Sequence, residues 1–306
     1  MTISERIEKA RMARDLKNKN KIDPGKSQKI VFTVYFIIFI VMAFVCLYPL
    51  FWCVINALKS SDEYYLSTIA LPEKWNFLYF GEIFVNFTIG YDNFWTMTLN
   101  SLWMAFGGSF LNLAASVLVA YPLARYKFPF DKFFYALIIF RITIPVVGAG
   151  PATYEFYRSI NAINNPAIFS LSYIMGYDMS ALILYGYFKG VSKDYSEAAF
   201  IDGATRLQTL FKVVLPQALP CIIALYINQV MGTWNNYTTS MLYQTQYPNL
   251  AYGIYLFQDK ALFLESGNGM PVFFGVIIIS AMVPLSLFIA GQKLMLTNMS
   301  VGGLKG

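Results

Sequence analysis

From Ile30 to Leu58 the chain runs for twenty-nine residues without a charged side chain. A helix needs about 20 mostly apolar residues to cross the hydrocarbon core of a bilayer. Five further segments share this character: roughly Phe94–Leu123, Phe133–Pro151 with Arg141 inside it, Ala167–Phe188 with Asp178 inside it, a stretch within Pro216–Leu242, and another within Pro271–Gln292. The expected fold is an all-α membrane protein with six transmembrane helices. The charge content supports this: 13% of residues are charged, against about 25% in soluble domains.

The loops set the expected orientation. With the N-terminus inside, eighteen Lys and Arg residues fall on the cytoplasmic side and four, Lys59, Lys74, Arg158 and Lys260, on the outer side. That asymmetry follows the positive-inside rule. Both termini are then cytoplasmic. The expected organisation is a basic tail over residues 1–29, a six-helix membrane domain over 30–292 and a second tail over 293–306. The first apolar run is too long, and lacks the small-residue cleavage pattern, for a signal peptide, so it is read as a retained span. Thr2 and Glu5 have capping-box spacing and suggest a short surface helix in the basic tail. Two sizeable outer loops, Lys59–Asn93 and about Tyr243–Met270, are rich in aromatic residues. These suit an interfacial belt or, for the second loop, a docking surface.

Several chemistries are excluded. The chain has no histidine, so His-based zinc sites and imidazole acid–base catalysis are absent. Cys46, Cys53 and Cys221 all lie in apolar runs and form no CxxC. Neither a metal site nor a catalytic site is expected. The basic excess sits in the juxtamembrane tail, which argues against nucleic acid. Gly25-Lys26-Ser27 ends like a P-loop, but the first glycine of that motif falls on Asn20. No ATP or Mg site is therefore expected in this chain.

The informative stretch is residues 191–216, between the fourth and fifth spans. Ser196 to Ile201 is helix-forming sequence preceded by the capping types Ser192, Asp194 and Ser196. Asp202-Gly203 reads as a helix stop with a left-handed glycine. Ala204 and Thr205 open a second helix, on which Leu207, Leu210, Phe211 and Val214 mark one face. Pro216 is expected to close this helix–turn–helix before the fifth span.

Glu197-Ala198-Ala199, with Gly203 four residues on and Leu215-Pro216 twelve beyond the glycine, resembles the EAA loop of binding-protein-dependent ABC transporter permeases. Ile201-Asp202-Gly203-Ala204 is similar to the same family. The C-terminal Val301-Gly302-Gly303-Leu304-Lys305-Gly306 and Trp234-Asn235-Asn236-Tyr237 look like elements of the maltose-type, carbohydrate-uptake subgroup. The likeness covers roughly residues 30–306, and Arg141 departs from it. It implies the type I importer permease fold, with a cytoplasmic coupling helix–turn–helix that docks into a groove of an ATPase. The implied partners are an ABC ATPase dimer, a second homologous permease, an external solute-binding protein and the lipid bilayer.

In that reading Ala198, Ala199 and Gly203 allow close approach. Glu197 offers a charge to the ATPase, or simply favours its helix N-terminus. Phe200, Asp202, Leu207, Leu215 and Pro216 complete the coupling loop, and Gly302, Gly303 and Lys305 form a tail reaching the ATPase. Trp234, Asn235, Asn236 and Tyr237 combine aromatic faces with amides, which suits either a sugar path or helix–helix contact. Arg141 and Asp178 lie at similar expected depths, so they are candidates for an intramembrane ion pair, or one of them lines the path. The expected function is a permease for a sugar or oligosaccharide. A permease for another small solute and an ion-driven secondary transporter are the alternatives. No enzymatic activity is expected.

Overall fold

The computed structural model describes residues 26–75, 77–144, 148–174, 178–263 and 269–299. The chain divides into two compact units, Met1–Trp52 and Cys53–Gly306. In the first, the described residues belong to helix α1 (Lys26–Ala57). Its side chains from Ile30 to Phe51 are exposed, a surface compatible with hydrocarbon. The helix expected around Thr2 lies outside the described residues.

The second unit opens with two short helices, α2 (Ser61–Leu66) and α3 (Tyr79–Asn86). A small antiparallel hairpin follows, β1 (Thr88–Ile89) and β2 (Asp92–Asn93), with Thr88 opposite Asn93. Asn93 then caps helix α4 (Phe94–Leu102) by accepting from the N–H groups of Trp95 and Thr96. A π-helical segment, Trp103–Gly107, joins α4 to α5 (Gly108–Arg125). Next come α6 (Asp131–Thr143), α7 (Ala149–Ser159), α8 (Pro166–Phe169), α9 (Leu171–Ile174) and α10 (Met179–Gly190). Helices α11 (Asp194–Ile201) and α12 (Arg206–Thr209) lead through a second π segment, Leu210–Val214, into α13 (Leu215–Trp234). The last helices are α14 (Thr238–Tyr243), α15 (Leu250–Phe263) and α16 (Gly269–Met299).

Among the described residues, four helical runs are long and apolar enough to cross a membrane: Gln28–Ala57, Phe94–Arg125, Arg206–Trp234 and Gly269–Lys293. A fifth arises if Pro166–Ile174 and Met179–Gly190, which meet at 43°, count as one broken span. The segment expected as the third span behaves differently. Helix α6 has 13 residues, about 20 Å at 1.5 Å per residue, which is short of a full crossing. It stops because Pro145 follows. The residue before a proline is driven out of the helical region, and Ile144 is extended at φ −94, ψ 107. The expected fourth helix is also interrupted. Asp178 accepts from the N–H of Ser180 at 2.9 Å and so begins α10 rather than lying inside a helix. The second expected outer loop contains a helix, α15, and α16 runs on past Gln292.

The core that positions the loop between α10 and α13 is apolar. Leu113, Val117, Ala120 and Tyr121 of α5 meet Leu184 and Phe188 of α10, and Leu210, Val214 and Ala218 of the Arg206–Trp234 run. Leu184, Phe188, Val214 and Ala218 are fully enclosed. At the other side of the unit, Lys59 is buried. Its Nζ donates to Asn56 Oδ1 at 3.0 Å and to the Ser67 carbonyl at 2.8 Å. Burial pushes its pKa down, and the nearby Glu63 carboxylate partly offsets this.

Leu184→Ala should remove the contact at the centre of this cluster and cost about 2–5 kcal/mol. The expected result is a clearly lower thermal unfolding midpoint of the purified protein in detergent, whereas Leu118→Ala, at an exposed position of α5, should change it little.

Candidate functional site

Residues 191–216 fold from local rules. Ser192 Oγ accepts from the N–H of Asp194 at 3.3 Å, and Asp194 and Glu197 place negative charge in the first turn of α11. The helix ends in a Schellman motif. The N–H of Ala204 donates to the Ala199 carbonyl at 2.9 Å and that of Gly203 to the Phe200 carbonyl at 3.0 Å. Gly203 sits at φ 80, in the left-handed region that a side chain disfavours. Two residues later Thr205 and Gln208 form a reciprocal capping box: Thr205 Oγ1 accepts from the Gln208 N–H, and Gln208 Oε1 accepts from the Thr205 N–H.

Leu215-Pro216 does not close this unit. Arg206–Trp234 is one continuous helical run. Pro216 lacks an N–H and its ring crowds the preceding turn. The chain absorbs this through the π segment Leu210–Val214 just before it. Gln217 Nε2 also donates to the Val213 carbonyl at 3.0 Å. The second helix of the pair is therefore the first turns of a spanning helix.

One side of the helix–turn–helix is fastened to the span bundle. Ala199, Thr209, Leu210 and Val214 are buried. Arg125, at the end of α5, donates from Nη2 to the Ser192 carbonyl at 3.2 Å. The guanidinium of Arg206 lies 5.1 Å above the ring of Tyr126. Glu197, Phe200, Lys193 and Ser196 line a cleft of about 140 Å³ with Tyr121, Arg125 and Tyr126. The other side is open. Glu197, Ala198, Asp202 and Gly203 are exposed, and so are the apolar Phe200, Ile201, Leu207 and Phe211. Glu197 has no side-chain partner among the described residues. Reading the sequence did not single out Arg125, Tyr126 or Arg206. The available signal was a basic residue in the last turn of one span and another in the first turn of the next.

The remaining candidates separate. Trp234 is 2% exposed, and its Nε1 donates to the carbonyl and hydroxyl of Ser280 in α16. Asn235 donates to the Met231 carbonyl, and Asn236 Oδ1 accepts from the N–H of Thr239. Tyr237 stacks on Tyr255 with ring centroids 5.0 Å apart. Asn236 and Asp178 line one polar cavity. Arg141 lines another, apolar one between α5 and α6. The polar cavity also contains Ser109, Asn112, Tyr173 and Gln229, which the sequence reading passed over. Amides inside apolar spans were the signal for two of them. Gly302, Gly303 and Lys305 lie outside the described residues.

Long apolar helices, one of which continues into an exposed helix–turn–helix, are the architecture of a multi-pass membrane protein. Residues 112–295, more than half of the chain, match the family described as the binding-protein-dependent transport system inner membrane component, and the chain belongs to it. This is a family of ABC transporter permeases, in which ATPase activity resides in a partner subunit. The sulfoquinovosyl glycerol transport system permease protein SmoH of Agrobacterium fabrum is 26% identical over 264 residues, 85% of this chain and 89% of that protein. The arabinooligosaccharides transport system permease protein AraQ of Halalkalibacterium halodurans is 26% identical over 278 residues, 88% of this chain and 94% of its own. A crystal structure of a bacterial ABC transporter that imports the acidic polysaccharide alginate contains a chain of the same fold. Its TM-score is 0.74 at 22% identity, covering 88% of this chain and 98% of that one.

Gly203→Val should force a β-branched residue into the left-handed region, and Thr205→Ala should remove a cap worth about 1 kcal/mol. Amide hydrogen exchange is expected to quicken across residues 203–208 in both variants and to stay slow through Gln217–Val230.

Proposed function

We propose that this chain is the permease subunit through which a sugar or oligosaccharide crosses the cell membrane of a prokaryote, driven by a separate ATPase. The observation that carries the reading is the continuity of the exposed helix–turn–helix with the Arg206–Trp234 span. A subunit gripping that loop moves a spanning helix directly. The relatives named for sulfoquinovosyl glycerol and arabinooligosaccharides supply the solute class.

In this reading the exposed Phe200, Ile201, Leu207 and Phe211 enter an apolar groove of the ATPase, and Ala198 and Gly203 permit close approach. Glu197 pairs with a basic residue of the same partner. Gly302, Gly303 and Lys305 reach the ATPase dimer from the C-terminal tail. Six spans, with both termini cytoplasmic, bring loop and tail to the same side. A second, homologous permease completes the pathway, and an external binding protein delivers the solute. ATP binding closes the ATPase dimer and rocks the spans between inward-open and outward-open states, a rigid-body transition between two packings. Trp234 anchors the fifth span to the sixth, while Asn236 and Tyr237 are the members of their element placed to meet the solute. ATP and Mg are bound by the partner.

The test is a mild-detergent pull-down of the tagged chain from its native membrane. An ATPase and a second permease are expected to co-purify. Leu207 is 65% exposed, so Leu207→Glu should leave the amount of permease in the membrane unchanged. It should still cut ATPase recovery about tenfold or more, through loss of an apolar anchor and burial of a charge. Full ATPase recovery with this variant would overturn the docking surface, and a chain purified without any ATPase would overturn the importer reading.

A further inference from the structure

A cavity of about 250 Å³ lies among α5, α9, α10 and α13, lined in part by Ser109, Asn112, Tyr173, Asp178, Gln229 and Asn236. Polar groups between spanning helices are normally bonded to one another. Part of this set is. Gln229 Nε2 donates to Asn112 Oδ1 at 2.9 Å and to Ser180 Oγ at 2.7 Å. Asn112 Nδ2 donates to the Tyr173 carbonyl at 3.3 Å. Asp178 Oδ1 accepts from the Ser180 N–H. These bonds hold the wall in one shape.

The rest of the set is unsatisfied. Ser109 Oγ, Tyr173 Oη and Gln229 Oε1 are buried without a hydrogen-bond partner among the described residues. A buried polar atom without a partner is costly, whereas an apolar side chain of similar shape at the same place is not. Ser109 and Tyr173 would do better as Ala and Phe if they served helix contact alone. Their surroundings hold the Tyr173 ring closely against the wall. The Tyr173 ring lies against Gly108, where an added Cβ would come within 2.7 Å of it. Gly108 directly follows the π segment Trp103–Gly107, and such segments are frequent at functional sites.

We infer that this cavity is a subsite for the neutral, polyhydroxylated part of the transported solute. The inference rests on the sugar-permease reading and narrows it. A hydroxyl both donates and accepts. It matches Gln229 Oε1, which only accepts, as well as Ser109 and Tyr173, which do both, once the spans part enough to bare these enclosed atoms. A carboxylate or sulfonate only accepts. It leaves Gln229 Oε1 bare and faces the carboxyl group of Asp178, and none of the residues lining the cavity is basic. The site therefore selects neutral sugar units over acidic ones, by what it cannot pair as much as by what it can.

The complex purified through a tag on this chain, with its co-purifying subunits and its binding protein, is reconstituted in liposomes. It is offered neutral di- and trisaccharides and their uronic-acid-terminated counterparts. Wild type should take up the neutral sugars and discriminate against the acidic ones. Tyr173→Phe and Ser109→Ala each remove an unpartnered hydroxyl, and each should lower the sugar carried per ATP hydrolysed by about tenfold. Ser116→Ala removes a buried, unpartnered hydroxyl of the same helix that does not line the cavity, and it should have no such effect. Asp178→Asn should narrow the neutral-to-acidic discrimination about tenfold. Undiminished transport by Tyr173→Phe and Ser109→Ala, or equal uptake of acidic sugars by wild type, would overturn the subsite and leave the importer intact. A complex with no ATP-driven sugar uptake would overturn the sugar-permease reading and the subsite with it.

Discussion

A backbone in hydrocarbon must bond its own N–H and C=O groups, because the surroundings offer neither donor nor acceptor. Several helix interruptions among the described residues are shaped by that demand. Where α4 starts, Asn93 takes up two free N–H groups. Where the broken fourth segment restarts, Asp178 takes up one. Where Pro216 disturbs the ladder, the side chain of Gln217 reaches the Val213 carbonyl. Asn165 does the same service for the N–H of Ile168 at the start of α8. Asp178, placed by such a break, meets the mid-helix amides Asn112 and Gln229 at one cavity. The polar cavity beside α9 and α10 is a product of the same rule.

The helix–turn–helix depends on a second set of forces. It is held by apolar burial of Leu210 and Val214 against α5 and α10, and by polar contacts from Arg125 and Arg206 at its margin. Burial fixes its position and the capping box and Schellman motif fix its shape, so both survive at the edge of the membrane where local helix stability is low. The exposed side needs no internal partners and is left with side chains suited to another protein. Its attachment to two spans means that a force on the loop is delivered to both.

Much of this was legible in the residues. Capping types and the Asp202-Gly203 stop are local signals, and the loop obeys them. Leu207, Leu210, Phe211 and Val214 do not share the one face their spacing suggested, because Leu210 and Val214 are buried while Leu207 and Phe211 are exposed. The long spans were legible from uncharged length alone. The errors came where one residue redirects the chain against its average character. Pro145 ends α6 early although the run around it is apolar. Asp178 starts a helix instead of interrupting one, since its carboxylate is worth more as a cap than as a buried charge. Pro216, an ordinary stop signal, is passed because the turn before it loosens. Trp234 and Asn236 are near neighbours in sequence with separate roles, one bonded into α16 and one facing the cavity. That division depends on which way a helix faces, and composition does not carry it.

The π segment Leu210–Val214 has a geometric consequence for evolution and engineering. It holds one residue more than the α-helical turn it replaces, and each residue of an α-helix turns its successors by about 100°. The heading of Ile201 and Leu207 about the axis of the fifth span is thus set by a single inserted residue. With α13 held in place, deleting it would turn the preceding chain by about 100° and pull Leu210 out of the core it shares with α5 and α10. Insertions and deletions in this short stretch therefore change the heading of the loop and its anchorage together.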